Sequence, residues 1–226
     1  RPVKKGGVMF NQTQQLSLEG PLDSRVVSQR QQAGLSLSYL ESWYVIKRAN
    51  EIFGYSQWSS RTLDLDCLVE EYDEAKKMHR VSYSARCEIE VSMGLDASGQ
   101  ATKPPVRQGV GHGHGMSRHS KGEAHESAAK EAESDAQKRA LKSFGNQFGL
   151  ALYDKEQKQV ADGEAIEIAF ATVLQMVRDT FQGEDIVLEG KYKLSLDHVA
   201  NSGDLGIMAA IGKELKAIML RGEKGK

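Results

Sequence analysis

Cysteine is scarce in this chain: Cys67 and Cys87 are the only two in 226 residues, and they do not form a Cys-x-x-Cys pair. That argues against a disulfide scaffold or a zinc ribbon and suits a reducing compartment. Long apolar runs are missing as well, so no stretch reads as a membrane span. The opening RPVKKGGVMFNQ lacks the apolar segment of a signal peptide. There is no Gly-x-x-x-x-Gly-Lys-Ser/Thr to cradle a nucleotide phosphate. The Gly-x-Gly inside GVGHGHG lacks the third glycine and the acidic residue of a dinucleotide site. Neither ATP use nor any other cofactor is supported. No His-Glu-x-x-His occurs, and no Ser-His-Asp or Cys-His set stands out. A surplus of positive charge is lacking too: 30 Lys and Arg face 31 Asp and Glu. A phosphate-binding surface would therefore have to come from a local cluster.

What is present is enough for a folded, soluble protein, with 39% hydrophobic and 27% charged residues. One stretch is unusual. GVGHGHGMSRHSKGEAHES, Gly109 to Ser127, carries His112, His114, His119 and His125, four of the six histidines. On a strand, His112 and His114 would point to one face and could meet a metal. Structural zinc prefers closed cysteine-rich sites, however, and no metal is expected. The plainer reading is a glycine-rich strand exit whose backbone approaches something closely.

The pattern along the chain predicts an α+β fold. Residues 1–34 read as an arm with short elements. Tyr39, Trp43, Ile46, Ala49 and Phe53 recur at helical spacing. Ser38 and Glu41 read as a capping box, and Gly54 as the stop. The period then falls to two. Leu63, Leu65 and Cys67, and then Val81 to Val91, alternate with polar residues as half-buried antiparallel strands. EEYDEAKKMHR reads as the turn between them, residues 96–105 as a second loop, and Val106 to about His112 as a third strand. From Lys121 to Phe148, Ala124, Ala128, Ala132, Ala136, Ala140, Phe144 and Phe148 form a four-residue stripe that predicts a long helix packed on the sheet. Beyond it lie a helix over 165–181, a strand or two over 186–196 and a helix over 205–220. The expected division is an arm over 1–34, a core over 35–156 and a mainly helical appendage over 157–226.

The densest basic cluster is QKRALKSFGNQFG, residues 137–149. Lys138 and Lys142 lie one turn apart, Arg139 sits beside them, and Lys130 lies two turns before. Glu131, Glu133 and Asp135 precede them. Acids early and bases late also suit the helix dipole, so a merely solvated face fits this pattern as well.

These residues carry a resemblance. LKSFGNQFGLALYDK resembles the signature helix end of the Rad52 family of single-strand annealing proteins. QKRALKSFGN, the strand exit RQGVGHGHG and the early SYLESWYVIKRANEIFGYSQWSS agree with the family in order and spacing over residues 22–156. The resemblance implies binding of single-stranded DNA around a ring of subunits, without ATP and without enzymatic chemistry. It implies an inner groove of Arg30, Tyr39, Lys130, Lys138, Arg139 and Lys142. It implies an outer site near Arg80, His119 and Lys121, to which His112, His114 and Arg118 of the histidine stretch would add. Lys142 replaces a family arginine, which keeps charge and loses fork geometry. His119 replaces a lysine, which implies an outer site that is weaker or pH-sensitive.

The resulting expectation is ATP-independent annealing of complementary strands during recombination or double-strand break repair. The expected partners are DNA, further copies of the chain and a single-strand-binding protein. The length suggests a phage or bacterial protein acting in the cytoplasm, or in the nucleus if eukaryotic. Two alternatives stand beside it: a metal-dependent nuclease or hydrolase built on His112–His125, and an oligomeric scaffold that does not touch DNA.

Overall fold

The computed structural model describes residues 10–32, 34–94, 99–181 and 195–223. In chain order the first elements are α1 (Gln12–Glu19), β1 (Leu22–Asp23), β2 (Val27–Gln32), β3 (Leu35–Leu40) and α2 (Ser42–Phe53). The central ones are β4 (Trp58–Asp73), β5 (Met78–Val91), β6 (Val106–Ser117) and α3 (Lys121–Lys142). The last are β7 (Val160–Ala161), α4 (Gly163–Phe181), α5 (Leu196–Ser202) and α6 (Leu205–Glu223). The chain forms two compact units. One holds Ser42–Phe144, and the other joins Phe10–Glu41 to the residues from Gly145 onward.

The first unit is an antiparallel sheet in the order β4-β5-β6, with α3 laid on β5 and β6. The alternation in β6 explains the glycines. Gly109, Gly111, Gly113 and Gly115 are buried toward α3, while Val110, His112, His114 and Met116 are exposed on the opposite face. A Cβ at any of the four would run into the α3 backbone: at the Ala136 carbonyl, the Ala136 amide, the Ala128 carbonyl and the Ala124 carbonyl respectively. The matching stripe Ala124, Ala128, Ala132, Ala136 and Ala140 is fully buried at 0% exposure. Glycine below and alanine above let helix and strand touch backbone to backbone. The histidine stretch is therefore strand through Ser117, not a loop from His112 onward, and its glycines serve helix packing.

α3 starts where its cap dictates. The Ser120 side chain accepts from the Glu123 amide at 3.1 Å, and the Ser117 hydroxyl donates to the Glu123 carboxylate at 2.7 Å. It stops at Lys142, so Phe144 and Phe148 lie beyond its end instead of continuing the stripe. Phe144 instead packs edge-on against Phe53, with ring centroids 5.3 Å apart.

Two further expectations are corrected. Leu35–Leu40 is a strand paired with Val27–Gln32, so α2 begins at Ser42 and Ser38 caps nothing. The buried face of α2 is Tyr44, Val45, Arg48, Ala49, Ile52 and Phe53, which leaves Trp43 65% exposed. Leu63, Leu65 and Cys67 are exposed rather than half-buried, because α3 covers β5 and β6 and leaves β4 at the open edge. β4 also runs on through Glu70–Asp73, which shortens the expected turn to Glu74–Lys77.

In the second unit, β2 and β3 form a hairpin turned at Gly34, whose φ of 80° suits glycine. β1 pairs with β7 in parallel. Phe170, Leu174, Leu196, Val199, Leu205, Met208, Ile211 and Leu215 form the core under α4, α5 and α6. The two helices expected over 165–181 and 205–220 are present as α4 and α6. The strands expected over 186–196 fall almost wholly outside the described residues.

Candidate nucleic-acid interface

Lys138, Arg139 and Lys142 come from the last turns of α3; Lys138 and Lys142 are half-buried on the side away from the alanine stripe, and Arg139 is exposed on its flank. The four-residue spacing sets Lys138 and Lys142 side by side. Lys130, eight residues before Lys138, is turned about 80° from it at roughly 100° per residue. Two of the cations are already matched. Arg139 Nε donates to Asp135 Oδ2 at 2.8 Å, and Lys130 pairs with Glu126. The latter contact holds the Glu126 carboxyl below its ordinary range. Lys138 makes no ion pair among the described residues. Both exposed pairs are of the i,i+4 kind, worth a few tenths of a kcal/mol on general grounds, roughly 0.3–0.5, so a phosphate can displace them at small cost.

Arg30 and Tyr39 sit together on the β2–β3 hairpin. The Arg30 guanidinium lies over the Tyr39 ring, 5.7 Å from its centroid. The Tyr39 hydroxyl donates to Glu41 Oε1 at 2.9 Å, and that hydrogen bond is the main cause of its raised pKa. Tyr39 is thus a strand residue with its hydroxyl anchored and its ring beside a cation. The hairpin and α3 belong to different compact units.

The outer group is divided. Arg80 on β5 and His112 and His114 on β6 share the sheet face opposite α3, and His114 Nδ1 lies 2.9 Å from the Ser82 hydroxyl. Arg118 and His119 form the short exposed turn between β6 and α3. Lys121 is committed elsewhere, its Nζ lying 2.6 Å from Glu70 Oε1 on β4. His125 is on α3, with Nε2 3.0 Å from Glu70 Oε2 and Nδ1 3.0 Å from the Tyr83 hydroxyl. The four histidines therefore do not converge on one point: His112 and His114 stand on the sheet face opposite α3, and His125 stands on α3.

Spacing could not reveal one cation. Arg107 on β6 lies with its guanidinium 5.4 Å from the Phe144 ring centroid. It sits far from the basic helix in sequence, and only the fold brings it to the residues just after Lys142.

The sequence pattern of the Rad52/22 family of double-strand break repair proteins matches residues 11–166. The DNA repair and recombination protein rad22 of Schizosaccharomyces pombe is 37% identical over 144 residues, which cover 62% of this chain and 28% of that protein. The DNA repair and recombination protein RAD52 of Saccharomyces cerevisiae is 32% identical over 143 residues, 63% of this chain and 28% of its own length. A second S. pombe protein, rti1, is 38% identical over 127 residues, 56% of this chain and 31% of its own. The chain thus matches less than a third of each of these curated relatives. Among the described residues no helix is long and apolar enough to cross a membrane. With more than half of its length matched in one continuous span, this chain belongs to the Rad52/22 family of double-strand break repair proteins.

Proposed function

We propose that the chain binds single-stranded DNA and pairs complementary strands, without ATP and without making or breaking covalent bonds, in recombinational DNA repair. The observation that carries this reading is the pair Lys138 and Lys142 at the C-terminal end of α3, beside the lightly tethered Arg139. Such cations grip phosphates and leave base edges free to test a complement. Within the other compact unit, Tyr39 and Arg30 of the hairpin, a ring and a guanidinium 5.7 Å apart, suit stacking on a base by themselves. The names of the relatives, all given as DNA repair and recombination proteins, support the same setting.

A chain of net charge -1 needs repetition to bind DNA tightly. Assembly of several copies supplies it, because each added groove binds at high effective concentration. The open strand β4 exposes Leu63, Leu65, Leu68 and Val69, apolar surface along a free sheet edge that a second copy would cover. The direct test is fluorescence anisotropy of a labelled single strand over a range of salt. Wild type should bind with a steep salt dependence, and Lys138→Ala/Lys142→Ala should flatten it. Binding that ignores both substitutions would place the DNA contact elsewhere on the chain, and no binding by wild type at any salt would favour the scaffold reading.

A further inference from the structure

We propose that Cys67, Glu70 and His125 form a binding site for a zinc-class divalent metal ion, joining β4 to the first turns of α3. Neither the DNA-binding residues nor the glycine–alanine packing accounts for these three side chains. One ligand atom from each lies within 4.8 Å of the others. Tetrahedral zinc, with bonds of about 2.0–2.3 Å to nitrogen, oxygen and sulfur, sets its ligands roughly 3.3–3.8 Å apart. Cys67 and Glu70 are both exposed, so their side chains are able to rotate toward a shared ion.

The backbone brings these residues together by a specific device. Cys67 and Glu70 are three apart, and on a regular strand they would point to opposite faces. A register shift between Cys67 and Val69 removes that alternation, so Cys67 faces Tyr83 and Glu70 faces Val81. Tyr83 and Val81 are two apart on β5, so both β4 side chains stand on the side that α3 occupies. His125 follows the buried Ala124 and turns its ring toward them. Its Nδ1 is engaged by the Tyr83 hydroxyl at 3.0 Å, which leaves Nε2 as the ligand atom. A fixed second nitrogen is the usual support of a metal-bound histidine. Lys121 holds the other oxygen of Glu70 at 2.6 Å and so orients the carboxylate.

Thiolate, imidazole and carboxylate together suit zinc or cobalt(II) rather than calcium or magnesium. On binding, the Cys67 thiol gives up its proton to solvent, and His125 ligates as the neutral imidazole whose single proton sits on Nδ1 and is donated to the Tyr83 hydroxyl, any proton carried on Nε2 passing to solvent. Three protein ligands leave a fourth position for water.

Cobalt(II) titration of the chelator-treated full chain tests the site. One cobalt per chain should bind, with a thiolate-to-cobalt charge-transfer band that disappears in Cys67→Ser and in His125→Ala. The band should persist in His112→Ala/His114→Ala. A second measurement needs no substitution. Maleimide labelling of wild type should modify Cys67, since Cys87 is buried, and zinc should slow that labelling at least tenfold. No thiolate band, a band that survives Cys67→Ser, or labelling indifferent to zinc would each overturn the proposal. None of these readouts uses DNA, so the site stands or falls separately from the annealing activity.

Discussion

At the scale of the residue, the proposed interface separates charge that is available from charge already engaged. Lys138→Ala should lower the slope of log affinity against log salt by about 0.7, the share of one phosphate contact on a single strand. The loss should be the same for any sequence, because a phosphate contact reads no base. Tyr39 is tested by two substitutions in the same anisotropy measurement. Tyr39→Phe keeps the ring and should bind nearly as wild type. Tyr39→Ala should cost about 1–3 kcal/mol if one base stacks there. Equal losses in both would instead assign the role to the hydroxyl and its bond to Glu41. The cluster from Lys138 to Lys142 could be seen in the sequence because a helix turns spacing into proximity. The division of the outer group could not. Lys121 is held by Glu70, a strand away in the fold and 51 positions away in the chain, and no periodicity links them.

At the scale of the element, β6 and α3 behave as one unit. Gly113→Ala would drive a methyl into the Ala128 carbonyl. Overpacking in a tight core typically costs about 1–3 kcal/mol, and a backbone obstacle that cannot rotate away puts this change at the upper end. Thermal unfolding should show the drop, while Gly122→Ala near the start of α3, where a Cβ meets only the Ser120 hydroxyl at 3.9 Å, should stay close to wild type. The sheet also has an acid-sensitive tie. Glu88 accepts from Gln108 Nε2 at 2.8 Å and pairs with Arg61, and these contacts lower its pKa below the ordinary 4.5. A depressed carboxylate contributes stability above its unfolded pKa and loses it as pH falls through the folded value. Unfolding followed below pH 4.5 should therefore be less steep in pH for Glu88→Gln than for wild type. The alanine stripe made α3 legible from sequence, since small residues at every fourth position demand a close partner. The partner was harder to see. The glycines of β6 sit among histidines, whose polarity masks the strand's two-residue alternation beyond His112. The start of α2 is hidden for a related reason: Tyr39 fits a helical period with Trp43, yet Tyr39 belongs to a strand and Trp43 to the exposed side of the helix.

At the scale of the whole molecule, membership of the repair family and the weak net charge fit one another if copies assemble. Leu65→Asp/Leu68→Asp would place two carboxylates on the open edge of β4. Light scattering should then report a smaller particle with an unchanged circular dichroism spectrum, and DNA affinity should fall with it. The central claim is annealing itself. Two complementary labelled oligonucleotides, mixed with the chain in the presence of chelator and without ATP, test it most directly. The account predicts pairing faster than the spontaneous rate with wild type, and lost in Lys138→Ala/Arg139→Ala at unchanged oligomer size. Pairing at the spontaneous rate at every salt concentration would contradict it.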